Sequence, residues 1–364
     1  MKTSRNAEVN RRAVLALALV AMSCGGEAGP GGPASDRAPS EEAESVGAGP
    51  YMGQPAPGTD PAPFAPGIVS TGLHTRDLAM TPEGDEIYFS VQSGPFAAIV
   101  GSRRQPDGWT PPEVPDFSAD PETMEIEPHI SPDGQRFYFV SNRPADGSAI
   151  AAGQRGEWNH ADIWVMDRNA DGWGTPHNLG APVNSEAPEF FPSTTRDGTI
   201  YFTREDPETG RNYIYRARPA AGRFGEPERL PEQVNSANQF NAFVSPDESY
   251  LILGVFGRDD SLGGTDYYIV FRHADDTWSA PVNLGPTINR ARGAEWSPYV
   301  SRDGRYFFFM STRTSYPNPA PDRLTFRGLQ VFHAGPGSGN PTIYWMDAGF
   351  IEELRQTSGT SPMP

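Results

Sequence analysis

Ser131-Pro132-Asp133-Gly134, followed one residue later by Arg136-Phe137-Tyr138-Phe139-Val140, decides how this chain is read. Gly tolerates positive φ and Asp bonds the nearby backbone, so Asp-Gly marks a tight turn. The aromatic and β-branched run after it marks a strand. The unit recurs as Thr81-Pro82-Glu83-Gly84, Thr195-Arg196-Asp197-Gly198, Ser245-Pro246-Asp247-Glu248 and Ser301-Arg302-Asp303-Gly304. Successive acidic positions lie 50, 64, 50 and 56 residues apart. That is the period of a four-stranded blade with loops of variable length.

Alignment on the turn brings further positions into register. Eight residues before the acid stand Glu125, Glu189, Gln239 and Glu295, and five before it stand Pro128, Pro192 and Pro298. After the turn come Ile200-Tyr201-Phe202-Thr203, Tyr250-Leu251-Ile252-Leu253 and Tyr306-Phe307-Phe308-Phe309-Met310, with Glu86-Ile87-Tyr88-Phe89-Ser90 in the first copy. A third strand follows at Asp162-Ile163-Trp164-Val165-Met166, Asn212-Tyr213-Ile214-Tyr215-Arg216, Asp266-Tyr267-Tyr268-Ile269-Val270 and Thr342-Ile343-Tyr344-Trp345-Met346. Trp109, Trp173 and Trp278 each close a turn before the last strand, at a place suited to packing between blades. No long stretch of 3.6-residue periodicity interrupts the pattern.

The expected fold is therefore all-β: a β-propeller of four-stranded blades, five by the visible units (68–120, 121–184, 185–236, 237–291 and 292–358), with a degenerate sixth left open. Gly67-Ile68-Val69-Ser70 looks like the blade-ending Pro182-Val183-Asn184-Ser185, so it is a candidate to complete the last blade from the N-terminal side. Phe350-Ile351-Glu352-Glu353-Leu354 is the competing candidate from the same blade's own chain. These motifs resemble the WD40-like, PD40-type repeat of the TolB C-terminal domain over about residues 75–355. The resemblance implies a propeller used mainly as a binding scaffold, often in the cell envelope.

The N-terminus reads differently. Lys2, Arg5, Arg11 and Arg12 precede an apolar run from Ala13 to Met22, too short to span a bilayer and flanked as a secretion signal is. Cys24, the only cysteine, follows Ser23 and resembles the acylated cysteine of bacterial lipoproteins, although Ala21-Met22 departs from the usual lipobox. Residues 1–23 are expected as a lipoprotein signal peptide, 24–63 as a disordered Gly/Pro/Ala-rich tether, 64–358 as the propeller and 359–364 as a disordered tail. Gly25 in place of an Asp leans the resemblance towards the outer membrane.

The formal net charge is −17, with Lys2 the only lysine. Such a balance disfavours nucleic acid and anionic lipid. Glu125, Glu189 and Glu295, ahead of their first strands, are candidates for an acidic channel ring; capping of their own blades is the alternative. Arg143, Arg204 and Arg313, with Arg258, follow the second strand and suit either pairing with Asp162 and Asp266 or a rim that clamps an anion or glycan. His129, two residues after Glu127, is a further channel candidate expected to converge with His74, since propeller lyases of the oligogalacturonate type use histidines with a divalent metal.

No His-x-x-His or Gly-x-Ser-x-Gly motif is present, and no catalytic residue, metal site or cofactor is assigned; calcium is the one ion the acidic positions suggest. The reading is a lipid-anchored envelope scaffold for a protein or envelope glycan, with a saccharide- or peptide-directed hydrolase or lyase as the alternative. The insertions Pro144–Ala161, Gly257–Thr265 and Thr314–Pro341 are loops on which binding is expected.

Overall fold

A computed structural model describes residues 47–150, 158–291, 293–315 and 320–358. The signal peptide, Cys24, the tether up to residue 46 and the tail from residue 359 lie outside the described residues.

A short strand, β1 (Ala62–Pro63), precedes the first blade. Blade I comprises β2 (His74–Met80), β3 (Glu86–Ser93), β4 (Phe96–Gln105) and β5 (Gly108–Trp109). Blade II comprises β6 (Glu125–Ile130), β7 (Arg136–Ser141), β8 (Asp162–Asn169) and β10 (His177–Asn178), with β9 (Gly172–Trp173) also on β8. Blade III holds β11 (Glu189–Thr194), β12 (Ile200–Glu205), β13 (Asn212–Ala217) and β16 (Glu228–Arg229), beside a hairpin of β14 (Pro219–Ala220) and β15 (Arg223–Phe224). Blade IV is β17 (Asn238–Val244), β18 (Tyr250–Phe256), β19 (Thr265–Phe271) and β20 (Val282–Asn283). Blade V is β21 (Glu295–Val300), β22 (Tyr306–Ser311) and β23 (Thr342–Asp347), completed by β1. The chain is a five-bladed propeller.

Each turn between first and second strands closes as its sequence demands. Gly84, Gly134, Gly198 and Gly304 take positive φ and donate their N–H groups to Thr81, Ser131, Thr195 and Ser301 carbonyls at 2.8–3.0 Å. Ser131 Oγ donates to Asp133 at 2.6 Å and accepts from Arg136 N–H at 2.9 Å; Ser301 repeats this with Asp303 and Tyr306. In blade IV the left-handed position is Glu248, φ 60°, whose carboxylate accepts from Tyr201 Oη at 2.5 Å and meets Arg272 at 2.5 Å. That buried anchorage offsets the strain a Cβ suffers there.

The aromatic runs do not alternate apolar and polar because both faces of every blade are covered. Phe137 and Phe139 pack with Tyr88 and Ile99 of blade I, whereas Tyr138 packs with Ile200 and Phe202 of blade III. Phe307 and Phe309 face blade IV, and Phe308 faces blade I beside Phe64 and Phe89. Trp109 and Trp278 are buried in such interfaces, and half-buried Trp173 packs on Phe137 at 5.2 Å.

Linker asparagines act as side-chain strands. Asn184 accepts from Ile163 N–H at 3.0 Å and donates to its carbonyl at 2.9 Å; Asn235 does the same to Ile214, and Asn289 to Tyr267. Ser70 occupies the matching place for blade V, donating to Ile343 O at 2.7 Å, while Ala62 and Pro63 pair with Trp345 and Tyr344. The ring thus closes from the N-terminal side as expected, but the closing strand is Ala62–Pro63, ahead of Gly67–Ser70 and within the stretch read as tether. Phe350–Thr357 does not supply a strand: it forms a helix, α2, whose Ile351 packs into the interface of blades IV and V.

The boundary expected at Phe64 falls too late. Met52 is buried, Tyr51 meets Tyr306 and Trp345 at 5.1 and 5.5 Å, and Trp109 Nε1 donates to Gly49 O at 2.8 Å. Exposed apolar surface on blades V and I supplies burial that the composition of this stretch, read alone, conceals.

Candidate functional site

Every innermost strand contains a bulge at one position, six residues before the turn acid. Asp77, Glu127, Phe191, Asn241 and Ser297 all take left-handed backbone there, with φ of 51–65°, and the register slips across each of them. The extra residue bends the strand where five strands crowd together. The prolines at 128, 192 and 298 come directly after the bulge, where a missing N–H costs no ladder bond.

These five residues build a floor across the axis. Arg76, 7% exposed, bonds Asp77 at 2.8 Å through Nε and reaches Glu127 through Nη2. Glu127 Oε2 accepts from Phe191 N–H at 2.7 Å. Ser297 donates to Asp77, and Asn241 Nδ2 lies 3.5 Å from Ser297 Oγ. All five blades are joined in this way. Burial pushes the Glu127 carboxyl up to about 8, with Arg76 opposing the shift and Asp77 adding to it.

Below the floor is a void of about 10 Å³ lined by Leu78, His129, Phe243 and Tyr299 among others. Above it opens a funnel of about 300 Å³, walled by Trp158, Phe190, Phe240 and Trp296 with Glu205, Asn212 and Asn241. The funnel belongs to the face on which first strands begin and second strands end. Ten large apolar side chains are exposed among the described residues. Nine of them stand on that face: Leu73, Phe96, Phe256, Leu262, Leu324, Phe326, Leu329, Val331 and Phe332; Val114 is the exception. The last five belong to the insertion between β22 and β23, most of them on an exposed helix, α1 (Phe326–His333). All nine lie on the contiguous blades IV, V and I.

The residues singled out from sequence lie elsewhere. Glu125, Glu189 and Glu295 are fully buried within their blades and do not line the funnel. Glu125 accepts from Ser141 Oγ at 2.9 Å and from Arg143 at 2.7 Å, and Glu189 pairs with Arg204 at 2.7 Å. Glu295 accepts from Ser311 Oγ at 3.0 Å; burial lifts its carboxyl to about 7. The arginines also bind linker carbonyls: Arg143 to Phe117 O at 2.6 Å, Arg204 to Val183 O at 2.8 Å and Arg313 to Ile288 O at 2.8 Å. Arg143 and Arg204 thereby tie the first strands of blades II and III to the linkers before them, and Arg313 reaches its linker from Ser311, which also donates to Glu295.

Pairing of these arginines with Asp162 and Asp266 is not what forms. Asp162 takes Asn178 at 2.7 Å, and Asp266 takes Asn283 at 2.9 Å. His129 is buried below the floor, its Nε2 accepting from Thr194 N–H at 2.9 Å, and burial lowers its pKa to about 3. His74 sits instead beside Trp296, ring centroids 6.4 Å apart, so the two histidines do not converge. Among the described residues no group of three or more His, Cys, Asp or Glu side chains is placed to hold a metal ion.

The funnel residues escape a search for agreement between repeats. Their aligned position, seven before the acid, reads Arg76, Ile126, Phe190, Phe240 and Trp296. The available signal was disagreement at a fixed offset between positions that do agree.

No protein-family model matches the chain, and no curated protein matches it. Among solved structures it is similar to the putative TolB from Agrobacterium tumefaciens: 15% identity, 75% of this chain, 90% of that one, TM-score 0.43. TolB from Acinetobacter baumannii is similar at 16% identity over 75% of this chain and 57% of that one, TM-score 0.42. A thermostable family-43 glycoside hydrolase is similar at 15% identity over 78% and 92%, TM-score 0.45. These likenesses concern fold, and no ligand or chemistry passes from them to this chain.

Proposed function

We propose that this protein is a non-enzymatic scaffold of the cell envelope that engages a protein partner through its funnel face. The one-sided distribution of exposed apolar side chains carries this reading. Nine of ten lie on blades IV, V and I, on the same face as an aromatic-walled depression, and apolar residues concentrated on one face mark interaction surfaces, whereas scattered ones do not. Aromatic side chains at the centre with polar groups among them match the anatomy of a protein interface. The opposite face carries the five turns and a polar groove of about 690 Å³ between blades II and III, lined by Asp133, Arg136, Asp197 and Arg223 among others.

An enzymatic site gains less support. Both oxygens of Glu127 are committed, one to Arg76 and the other to Phe191 N–H. A glycan partner has one observation in its favour: Glu205, Asn212 and Asn241 stand among aromatic rings, a set able to hold sugar hydroxyls. Export and lipid anchoring rest on the sequence, through Arg11, Arg12, the apolar run to Met22 and Cys24. Cys24→Ser is expected to release the protein from membranes into the soluble envelope fraction.

The test compares purified wild-type protein with Phe240→Ala/Trp296→Ala and Arg302→Ala, each immobilised against a detergent-solubilised envelope fraction from its source cell. A protein retained by wild type and Arg302→Ala but lost with the funnel variant supports the reading. Retention unaffected by the funnel variant, or retention of saccharide alone, overturns it.

A further inference from the structure

The chemistry of the funnel specifies what enters it. Among the described residues Arg76 is the only basic side chain in the wall, and it is spent: buried at 7% exposure, it is held by Asp77 at 2.8 Å and by Glu127. Asp77 and Glu127 together outnumber it, and Glu205 on the wall meets no basic group among the described residues. Even with Glu127 protonated, the sum of these groups stays negative. Glu205 lies opposite Asn212 across the β12–β13 pair, and Asn212 Oδ1 has no hydrogen-bond partner. Asn212 Oδ1 is buried beyond a ligand's reach, so the acceptor offered to the space walled by Trp158, Phe190, Phe240 and Trp296 is the Glu205 carboxylate.

Aromatic faces carry negative potential and attract cations, most strongly when the cation leaves bulk water. The Glu205 carboxylate calls for a donor rather than an acceptor, and a guanidinium is donor-only, planar and able to stack on rings while bonding a carboxylate. A sugar hydroxyl needs no such charge imbalance, and an anion is repelled by it. A formal net charge of −17 draws cationic partners towards the whole surface.

Building on the funnel-face reading, we propose that the funnel captures an arginine side chain of the protein partner, stacked among the four aromatic rings and bonded to Glu205. The exposed apolar residues of blades IV, V and I then receive the partner's surface around that arginine.

The probe is Nα-acetyl-arginine amide, titrated into the purified protein by isotope-edited NMR of the tryptophan indoles, with Nα-acetyl-citrulline amide as its uncharged isostere. The expected result is a shift of the Trp158 and Trp296 signals with arginine, and binding roughly tenfold weaker for citrulline. Glu205→Gln, which keeps the side-chain shape, should weaken arginine binding by a similar factor while leaving citrulline unchanged. Equal binding of the two probes, insensitivity to Glu205→Gln, or no shift with either overturns the arginine proposal. The funnel-face reading fails separately, when a retained envelope protein is indifferent to Phe240→Ala/Trp296→Ala.

Discussion

At the turn rim the five blades carry Glu83, Asp133, Asp197, Asp247 and Asp303 at one position. At the funnel rim a single position carries Arg76, Ile126, Phe190, Phe240 and Trp296, and the next carries Asp77, Glu127, Phe191, Asn241 and Ser297. The backbone repeats equally well at both rims: left-handed residues recur at every turn and every bulge. Side chains repeat only where they make the backbone conformation. A turn closed by a Ser or Thr hydroxyl and an Asp carboxylate tolerates few alternatives. A bulge fixed by its strand pairing tolerates many, so its side chains are free to specialise. Regularity marks the scaffold, and its breakdown at constant geometry marks the site.

The sharpest way to break this comparison is to exchange stability for binding at the two kinds of position. Phe308→Ala, deep between blades V and I, should cost about 3–5 kcal/mol in denaturant unfolding. Phe240→Ala, half-buried in the funnel wall, should cost about 1 kcal/mol or less and remove partner binding. Comparable destabilisation by both would erase the distinction.

Asparagines allow the same contrast. Asn289→Ala leaves both the N–H and the carbonyl of Tyr267 without their side-chain partner and should cost about 2–4 kcal/mol. Asn212→Ala removes an unpartnered oxygen and should change stability by no more than about 0.5 kcal/mol.

His129 tests whether the residue below the floor is structural. Its folded pKa, about 3, lies under the unfolded value of about 6.5, so the unfolded chain takes up a proton first as pH falls. Its contribution to stability is therefore complete above about pH 6.5 and is lost on acidification, at about 1.4 kcal/mol per pH unit between roughly 6 and 4.5. Unfolding free energies across that range should decline less steeply for His129→Gln. An unchanged slope would show that the ring is solvated.

The mildest of the structural losses concerns the turns. Gly134→Ala should cost about 1–2 kcal/mol, because φ is 73° and a Cβ would lie 3.0 Å from the Pro82 ring. Thermal unfolding of this variant at the wild-type midpoint would exclude the strain argument.

The fold was legible because turns, aromatic runs and prolines recur at fixed offsets, and each has a local cause. Closure from the N-terminal side was legible too, through the likeness of Gly67-Ile68-Val69-Ser70 to Pro182-Val183-Asn184-Ser185, although the strand itself is Ala62–Pro63. The site was not. Glu125 and Glu189 repeat because they and their arginines hold first strands to their linkers, and Glu295 is held by Ser311 in the same place, so their repetition reported structure. Arg76 and Trp296 share no residue type, and only the bulge geometry shows that they occupy equivalent places. Residues 47–63 also eluded the sequence reading, since their stabilising contacts are with Tyr306, Trp345 and Trp109, distant along the chain.

The central claim, that one face binds and the other only builds, is tested most directly by photocrosslinking in the cell that makes the protein. p-Benzoylphenylalanine would be introduced at Phe96, Phe256 and Phe326 on the funnel face, and at Arg196 and Arg302 on the turn face. The account predicts a single protein adduct shared by the three funnel-face positions and none from the turn face. Adducts confined to Arg196 and Arg302, or absent from all three funnel-face positions, would contradict it.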